Sequence, residues 1–519
     1  VSGKDLFKFY FYYAEKTSKN VRIPWYENMK NIFNDLQDTQ KDMFSSYGIV
    51  VIEVEEDKYN PVIKENENTI YILTFAYGGS IVSTVVDNNF GLEMASKIVN
   101  RETINAQSSK FFSIVKNKAL VVFDNANFTT QVGEAVEFLS ANLEERTGRN
   151  SVSQLLEKVE QRAQFSSATI KLTLNKEFNK ENLISIIRNI NNIKKNYSEG
   201  IAIPRLYSLR ASKDSKLIEK LYEKLNLETI DKANSHVFSG IYIVCDGKIL
   251  VSNTDDICEL YVGRKKEEYE ELTIENIRDF MKKNNIQDIR NVKVKISGKS
   301  LEVLKLIDYT TKVEENSDEY YCISNGQWAK FNNNYMQKVK DEIKQKINKI
   351  VEYKEEYNLI SFEKLKKQYA VEKENKESKI SYKERIYNRY LCDKLSADLL
   401  DRKTTGSLEI ADVYDHKEKN LIHVKIGETG KLVECINQSY RGSDYYNNNK
   451  DKVKSKLGVE EVKQITLLFV TNQKRVWKKK DFNEFMSLKL KLGLIEWVDH
   501  IQLMGYTPRI IVAKEEEKQ

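Results

Sequence analysis

Residues 407–426 read SLEIADVYDHKEKNLIHVKI, and this stretch decides how the rest of the chain is interpreted. In NLIHVKI apolar residues return at positions 422, 424 and 426, and in LEIADVY Leu408, Ile410 and Tyr414 share one parity with Asp412. Side chains alternate between the two faces of a strand, so this period predicts two β-strands. The polar run DHKEKN between them supplies a turn. The stretch is therefore predicted to form a β-hairpin.

The predicted hairpin brings three different polar groups onto one half-buried face. With the turn centred on positions 417 and 418, Asp412 pairs with His423, and Ile410 pairs with Lys425. A carboxylate, an imidazole and an ammonium group then converge. An ordinary amphipathic hairpin explains the same residues, with Asp412 at a strand end and Lys425 in solvent. The elements predicted around the hairpin are therefore needed to distinguish a functional site from an ordinary amphipathic hairpin.

Length and composition set the wider limits. A chain of 519 residues is long enough for three or four domains, and 40% hydrophobic with 31% charged residues suits a soluble globular protein. The net charge of +6 permits nucleic-acid binding without arguing for it. The five cysteines form no CxxC pair, which argues against a zinc ribbon and a disulfide framework. No apolar run is long enough to span a bilayer, and the N-terminus has no signal-peptide pattern. We expect a cytoplasmic, non-membrane protein.

Three α+β domains are predicted before the hairpin, at residues 1–125, 126–235 and 236–350. The predicted strands are 6–13, 49–54, 69–77, 81–86, 119–123, 168–174, 237–244, 248–251 and 292–296. The predicted helices are 91–99, 129–143, 151–161, 180–195, 274–285 and 335–353. Residues 305–309 are predicted to pair with 319–323. This half of the chain carries no P-loop, GxSxG or HExxH motif, so its predicted role is recognition or regulation.

The last domain is predicted at residues 351–519. A charge-dense segment, 352–383, is interpreted as a solvated helix and linker. The hairpin follows a predicted helix at 381–392 and precedes a second helix at 431–441. A buried strand at 464–470, a helix at 481–504 and a strand at 509–513 complete the order helix, hairpin, helix, strand, helix, strand.

This order and the hairpin resemble the core of PD-(D/E)XK nucleases, the restriction-endonuclease-like αβββαβ fold. Asp412 matches the first acid of that motif. The sequence from His423 to Lys425, HVK, matches the acidic-x-Lys part, with His where Glu or Asp is usual. The resemblance implies that the preceding helix supplies another acid, Glu384, and that Gln438 on the following helix touches the site.

Two assignments on the neighbouring helices have alternatives. Glu384 in a surface ion pair with Lys383 or Arg385 explains its position as well as a catalytic role does. After Gln438, the side chains of Tyr440 and Arg441 could contact a backbone phosphate.

Phosphodiester hydrolysis would give these residues defined roles. Mg²⁺ binds through one or two carboxylates and substrate phosphate. Asp412 would be the principal ligand, with Glu409 and Glu384 as candidate second acids. Glu409 has the wrong strand parity unless a bulge intervenes. Lys425 would orient water or offset developing charge, and His423 would bind a softer ion such as Mn²⁺ or act as a general base.

The whole chain also resembles a sporadically distributed bacterial family of unknown function that is often found among restriction and phage-defence genes. The stretches that carry this resemblance are YGGSIVSTVVDNNFGLEMASKIVN, SNGQWAKFNNNYMQKV, ERIYN, LLDRKTTGSLEIADV, LIHVK and HIQLMGYTPRIIVA. This resemblance implies a defence-associated nucleic-acid protein. Together with the nuclease-like hairpin, it favours a Mg²⁺- or Mn²⁺-dependent nuclease in anti-phage defence, with DNA as the favoured substrate and RNA cleavage left open. The alternative is a catalytically inactive nuclease fold that senses nucleic acid or a phage protein. A phage-protein trigger and a homo-oligomer are both compatible with this interpretation, and the sequence decides neither.

Overall fold

The computed structural model describes residues 6–14, 24–33, 47–55, 69–76, 78–83, 85–112, 118–122, 128, 130–145, 150–230, 242–245, 248–251, 258–269, 272, 274–296, 299–307, 309–314, 317–324, 326–359, 361–369, 379–405, 408–427, 429–485 and 487–515. Among the helices in these ranges, none has the length and apolar character needed to cross a membrane. The cysteines whose side chains lie in these ranges are free thiols: Cys258, Cys322, Cys392 and Cys435.

The chain divides into two compact units. The first comprises Val1–Ser109, Ala119–Thr129 and Val136–Ile203, and the second comprises Lys110–Lys118, Thr130–Ala135 and Pro204–Gln519. Both units mix helices with several sheets, so the predicted α+β class is confirmed. The finer division into four domains stays a prediction.

Residues 6–203 contain two antiparallel-rich sheets with short helices packed against them. The strands are β1 (Leu6–Ala14), β2 (Tyr47–Glu55), β3 (Thr69–Ala76), β4 (Ala106–Phe111), β5 (Lys118–Val122), β6 (Glu134–Asn142), β7 (Val159–Ser166) and β8 (Ile170–Leu174). The helices are α1 (Pro24–Lys30), α2 (Gly78–Val82), α3 (Phe90–Ile98), α4 (Ser151–Leu156) and α5 (Lys180–Asn196). The sheet orders are β1-β2-β3 and β5-β4-β6-β7-β8. Their apolar faces share one hydrophobic cluster.

The sequence predicted most but not all of these elements. The strands at β1, β2, β3, β5 and β8 and the helices at α3 and α5 are confirmed. The helix predicted at 129–143 is wrong, because that segment forms β6, which pairs with β7. The extended segment predicted at 81–86 is also wrong at its start, since α2 runs to Val82. The helix predicted at 151–161 ends at Leu156, and β7 begins three residues later.

The second unit begins with smaller sheets around α6 (Ala211–Ile230) and α7 (Ile274–Lys283). Their strands are β9 (Leu206–Ser208), β10 (Tyr242–Cys245), β11 (Lys248–Val251), β12 (Cys258–Val262), β13 (Lys265–Tyr269), β14 (Lys293–Ile296), β15 (Lys299–Glu302), β16 (Thr310–Thr311), β17 (Tyr321–Ser324) and β18 (Gln327–Phe331). The sheet orders are β10-β11, β13-β12-β14-β15 and β16-β17-β18-β9. The predicted β10–β11 hairpin is confirmed in its described residues. The segment predicted to pair with 319–323 is shifted, since β16 pairs with β17.

The rest of the second unit is organised around one mixed six-stranded sheet. Its helices are α8 (Asn333–Glu342), α9 (Asn348–Ile350), α10 (Phe362–Gln368), α11 (Lys379–Leu395), α12 (Thr429–Asn448), α13 (Lys450–Leu457), α14 (Lys474–Lys479) and α15 (Leu488–Leu503). Its strands are β19 (Val351–Tyr353), β20 (Asp398–Leu399), β21 (Thr404–Thr405), β22 (Leu408–Glu409), β23 (Val413–Asp415), β24 (Asn420–Ile426), β25 (Gln464–Thr471) and β26 (Thr507–Lys514). The large sheet has the order β19-β26-β25-β24-β23-β20, and β21 pairs separately with β22.

Strand directions in the large sheet follow from its connections. The hairpin makes β23 antiparallel to β24, whereas helical crossovers make β24, β25 and β26 parallel. All seven residues of β24 are buried, as expected for a central strand covered on both faces. The predicted order helix, hairpin, helix, strand, helix, strand is confirmed as α11, β23–β24, α12, β25, α15, β26.

Two hydrophobic clusters cover the two faces of β24. One contains Tyr387 and Leu391 of α11 with Val424, and the other contains Leu432 of α12 and Trp497 of α15 with Leu421. The strand thus lies between helix layers.

The helix predicted at 335–353 ends earlier, in a π-helical segment, Ile343–Ile347, followed by α9. Its last residues instead form β19, which extends the sheet by pairing in parallel with β26.

Candidate acidic pocket beside His423 and Lys425

The hairpin follows the predicted register from Val413 onward, but the predicted pairs Asp412–His423 and Ile410–Lys425 are not part of the ladder, because the first predicted strand is interrupted. Val413 pairs with Ile422, which is the register expected from the turn. Residues 410–412 leave the strand, so β22 and β23 are separate elements. The parity argument against Glu409 therefore fails, because a break between Glu409 and Asp412 removes the fixed alternation of side chains.

Backbone hydrogen bonds fix Asp412 at this break. Its amide donates to the carbonyl of Ile422 at 3.1 Å, and its own carbonyl accepts from the amides of Leu400 and Asp401 at 2.8 and 2.9 Å. The second contact holds the turn after β20 against Asp412. Asp401 is thus placed beside Asp412 although eleven positions separate them in the sequence.

The Asp412 carboxylate is buried and held from two elements. Its Oδ2 accepts a 2.7 Å bond from the Val424 amide, and its Oδ1 accepts a 3.3 Å bond from Asn388 Nδ2. Only 8% of the residue is exposed. Burial raises the pKa of Asp412 well above its usual range, and nearby Glu409 adds to the rise, while Lys425 and the Val424 amide oppose it.

Three carboxylates converge at this point. Oxygens of Asp401, Glu409 and Asp412 all lie within 4.8 Å of one another. Glu409 is oriented by the Arg402 amide, which donates to its Oε1 at 2.7 Å. Burial raises the pKa of Glu409 too. Like charges this close repel, and clustered oxygen ligands are what divalent cations require, so this donor set fits a divalent metal ion.

His423 is buried at the same place without a partner for one ring nitrogen. Only 2% of the residue is exposed, and its Nε2 has no hydrogen-bond partner among the described residues. Burial, assisted by the charge of Lys425, lowers the pKa of His423 to about 3. The imidazole is therefore neutral at pH 7, which is the form that binds metals.

Lys425 lies on the same face of β24 and is buried with an acid. Its Nζ is 3.2 Å from Oε2 of Glu384 and 3.8 Å from Oε1 of Glu434. The other oxygen of Glu384 accepts the Ile426 amide at 3.1 Å. Burial lowers the pKa of Lys425, but the carboxylates of Glu384, Asp412 and Glu434 together outweigh burial and raise it. Lys425 is therefore a fixed positive charge near Asp412.

A cavity of about 120 Å³ opens onto these groups, lined by Glu409, Ala411, Asp412, His423, Gln438 and Arg441. Helix α12 forms one wall, and its closeness depends on a glycine. A Cβ on Gly442 would lie 2.2 Å from the Ile410 carbonyl oxygen and 3.1 Å from Cε1 of His423. The helix can therefore lie against the broken strand only with glycine at this position.

The structure brings most of the predicted site residues together in two adjacent groups. Asp412, Glu409, His423 and Gln438 line the cavity, together with Arg441. Glu384 and Lys425 form the buried pair beside it, and the Glu384 carboxylate is not one of the three that converge.

Sequence reasoning missed Asp401. It lies within LLDRKTTGSLEIADV, a stretch that carries the family resemblance but gives Asp401 no motif of its own. Pairing of β20 with β23 brings Asp401 beside Asp412 in the structure. The sequence does not show this pairing, because a two-residue strand is too short to produce an alternating pattern.

Over residues 6–480, the chain matches a family of unknown function, DUF6119. The chain belongs to this family. The predicted resemblance to a family of unknown function is thus confirmed at that level, and DUF6119 membership by itself assigns no activity. No curated protein and no solved structure matches this DUF6119 chain.

Proposed function

We propose that the chain is a metal-dependent nuclease that hydrolyses phosphodiester bonds, with DNA as the favoured substrate, in anti-phage defence or restriction. One observation carries the proposal: three carboxylates converge, two of them line a cavity together with a buried imidazole, and a buried ammonium group lies beside them. Carboxylates that bind a divalent cation, with a lysine nearby, are the groups that phosphodiester hydrolysis needs.

The topology of the second unit supports a restriction-endonuclease-like domain. The αβββαβ order implied by the resemblance corresponds to α11, β20, β23, β24, α12 and β25. In the sheet, β20, β23 and β24 are successive antiparallel neighbours, and β25 is parallel to β24. The acid-bearing break and the His-x-Lys strand are adjacent in this sheet, which is the arrangement that a PD-(D/E)XK site requires.

Each residue of the site has a role in this proposal. Asp412, Glu409 and Asp401 would hold the metal ion, which when bound stabilises negative charge and activates water. Lys425 would orient the attacking water or offset charge on the phosphoryl oxygens. Arg441, exposed at the cavity, would contact the phosphate.

Two further residues act at the edge of this set. Gln438 lines the cavity and would hydrogen-bond a phosphate oxygen or the water. Glu384 fixes the Lys425 ammonium, so it is a positioning residue rather than a metal ligand in this arrangement.

A second function has a specific observation in its favour. Asp412, His423 and Lys425 are each less than a tenth exposed, and Lys425 is already engaged by two carboxylates. A catalytically inactive nuclease fold that senses nucleic acid or a phage protein would not need these three side chains to be accessible. The nuclease is preferred because three clustered carboxylates cost stability, and a binding module does not require them.

The test is incubation of the purified full-length protein with supercoiled plasmid DNA and with total RNA, in Mg²⁺, in Mn²⁺ and in chelator. Cleavage of DNA that requires the metal supports the proposal, and cleavage of RNA alone would change the substrate class. Full activity in chelator contradicts a metal mechanism. No cleavage by the wild-type protein, together with phage protection that survives in folded Asp412→Asn and Lys425→Met variants, favours the sensor.

A further inference from the structure

We infer that a basic track on α12 and α13, formed by Arg441, Tyr445, Lys452 and Lys456, binds the phosphate backbone of double-stranded DNA beside the acidic cavity. This inference rests on the proposed function, and it goes further by naming the surface that holds the substrate beyond the reacting phosphate. Two observations carry it: a continuous line of side chains that begins at the cavity, and cations on this line that no carboxylate of the described residues neutralises.

The basic track begins at the cavity wall and continues from one helix to the next. Arg441 lines the cavity, and Tyr445 lies four residues further along α12, so the two side chains share a face of that helix. The ammonium nitrogen of Lys452 on α13 lies 5.9 Å from the centre of the Tyr445 ring. Lys456, four residues after Lys452, shares its face of α13. With a rise of about 1.5 Å per helical residue, the track spans roughly 18 Å, the length of about five base pairs.

Both helices lie against the short hairpin that carries one of the clustered carboxylates. β21 pairs with β22, which ends at Glu409. Helix α12 contacts β22, and α13 contacts β21. The track therefore lies next to the cavity and not on a remote face of the second unit, so a substrate bound at the carboxylates is within reach of both helices.

The cations of the track are available to an external anion. Arg441, Lys452 and Lys456 are exposed, and among the described residues none of them has a carboxylate partner. Helix α13 carries four lysines and a single acid, Asp451, so the excess charge is positive. Asp444, on α12 near the track, is already paired with His500 at 3.0 Å.

The chemistry of the track favours duplex DNA over a single strand. Exposed lysines also keep a protein soluble, but solubility does not require them to be aligned with a cavity, whereas the regularly spaced phosphates of a duplex match such a line. Single strands are held largely by bases that stack on aromatic rings. The one ring on the track, Tyr445, is half-buried and covered by Lys452, so it gives an unpaired base no platform. Backbone contacts are therefore the interaction that this surface offers.

The experiment measures binding of the full-length protein to a DNA duplex of about 20 base pairs in chelator, from about 50 to about 200 mM salt. Binding alone is measured, so the result does not depend on cleavage. Each phosphate contact contributes about 0.9 to the slope of log affinity against log salt concentration. The double variant Lys452→Gln/Lys456→Gln should therefore lower this slope by about 2, and it should weaken binding at about 50 mM salt at least about tenfold. Lys452→Arg/Lys456→Arg keeps both charges and should keep the slope.

The chain offers a matched control in α14, which carries the exposed Lys478 and Lys480. This helix contacts β19 through Trp477, whose ring lies 5.6 Å from that of Tyr353, at the edge of the large sheet opposite β20. Lys478→Gln/Lys480→Gln makes the same change in charge away from the track, and it should lower the slope by well under about 1.

Three results would overturn the inference: no binding of the duplex by the wild-type protein, an equal change of slope in the two glutamine double variants, or tighter binding of a single strand of the same length than of the duplex. Cleavage by a protein whose slope does not respond to Lys452 and Lys456 would leave the nuclease and reject the track. A slope that responds as expected, without cleavage in any metal ion, would leave the track and reject the nuclease.

Discussion

The ammonium nitrogen of Lys425 lies 3.2 Å from a carboxylate oxygen of Glu384, and both side chains are at most a tenth exposed. One comes from the central strand β24 and the other from α11, so the pair joins the sheet to a helix. Burying two charges is costly, but removing one partner is costlier because the other charge remains buried.

This pair predicts a strong energetic coupling. Glu384→Gln and Lys425→Met should each lower the free energy of unfolding by about 3 kcal/mol, since each leaves a buried charge without its partner. The double variant should lose clearly less unfolding free energy than the two single variants lose when their losses are added. Urea denaturation of the four proteins measures the coupling. The control is Lys479→Met, which breaks the ion pair between an exposed lysine and Glu484 and should cost well under about 1 kcal/mol. Additive losses would show that the pair is not coupled.

Asp412→Asn is predicted to stabilise the metal-free protein at neutral pH. The folded-state pKa of Asp412 is raised, so wild-type stability should fall as pH rises from about 4 through that raised pKa. Asparagine has no charge to bury and keeps the bond from Val424. Its Nδ2 can also donate to Oδ1 of Asn388, which has no partner among the described residues, once the Asn388 amide turns over.

Denaturation in chelator between pH 4 and pH 8 tests whether Asp412→Asn raises the free energy of unfolding. The gain should be on the order of 1 kcal/mol at pH 8 and shrink toward pH 4, where both side chains are neutral. A variant less stable than the wild type at pH 8 would contradict the burial argument.

Gly442→Ala should destabilise the protein, although alanine normally favours a helix by about 1 kcal/mol. The new methyl group meets the Ile410 carbonyl oxygen at 2.2 Å, which is backbone and cannot move freely. We expect a net loss on the order of 2 kcal/mol. Thermal unfolding measures the loss. The control is Ser455→Ala on the exposed surface of α13, which should change the free energy of unfolding by only a few tenths of a kcal/mol. A stabilised Gly442→Ala would mean that α12 does not pack this closely.

A fragment of residues 351–519 should not unfold cooperatively. It keeps the site but loses the buried side chains of Phe331, Tyr335, Val339, Ile343 and Ile347, which belong to the same hydrophobic cluster as Trp497. Fluorescent-dye binding and thermal melting should show exposed apolar surface in this fragment. A longer fragment, 204–519, keeps these five residues but not Phe112 and Ala135 of the same cluster, and it should melt more cooperatively than the shorter fragment. A cooperative transition in the shorter fragment would show that the cluster is not needed.

The sequence was sufficient where a strong period or a turn determined the local structure. The β24 strand, the register of the hairpin and the apolar β25 follow from such patterns, and they place His423 and Lys425. The turn was predictable because Asp415 stabilises it: its Oδ1 accepts hydrogen bonds from the amides of Lys417 and Glu418.

The sequence failed where distant pairing overrides local preference. Residues 134–142 are rich in helix formers, yet they form a strand because β7 pairs with them. The break at Asp412 and the position of Asp401 depend on hydrogen bonds to residues 400 and 401, which no local pattern announces. A functional site built at such a break departs from the regular period that made the surrounding strands predictable.

The most direct test of the nuclease proposal is plasmid cleavage by Asp412→Asn compared with the wild type, in the metal ion that supports activity, alongside DNA binding by both proteins. We predict that cleavage falls at least about a hundredfold while DNA affinity changes little, because the carboxylate acts on the transition state rather than on ground-state binding. A folded Asp412→Asn protein that cleaves at the wild-type rate would contradict the assignment of this pocket as the active site.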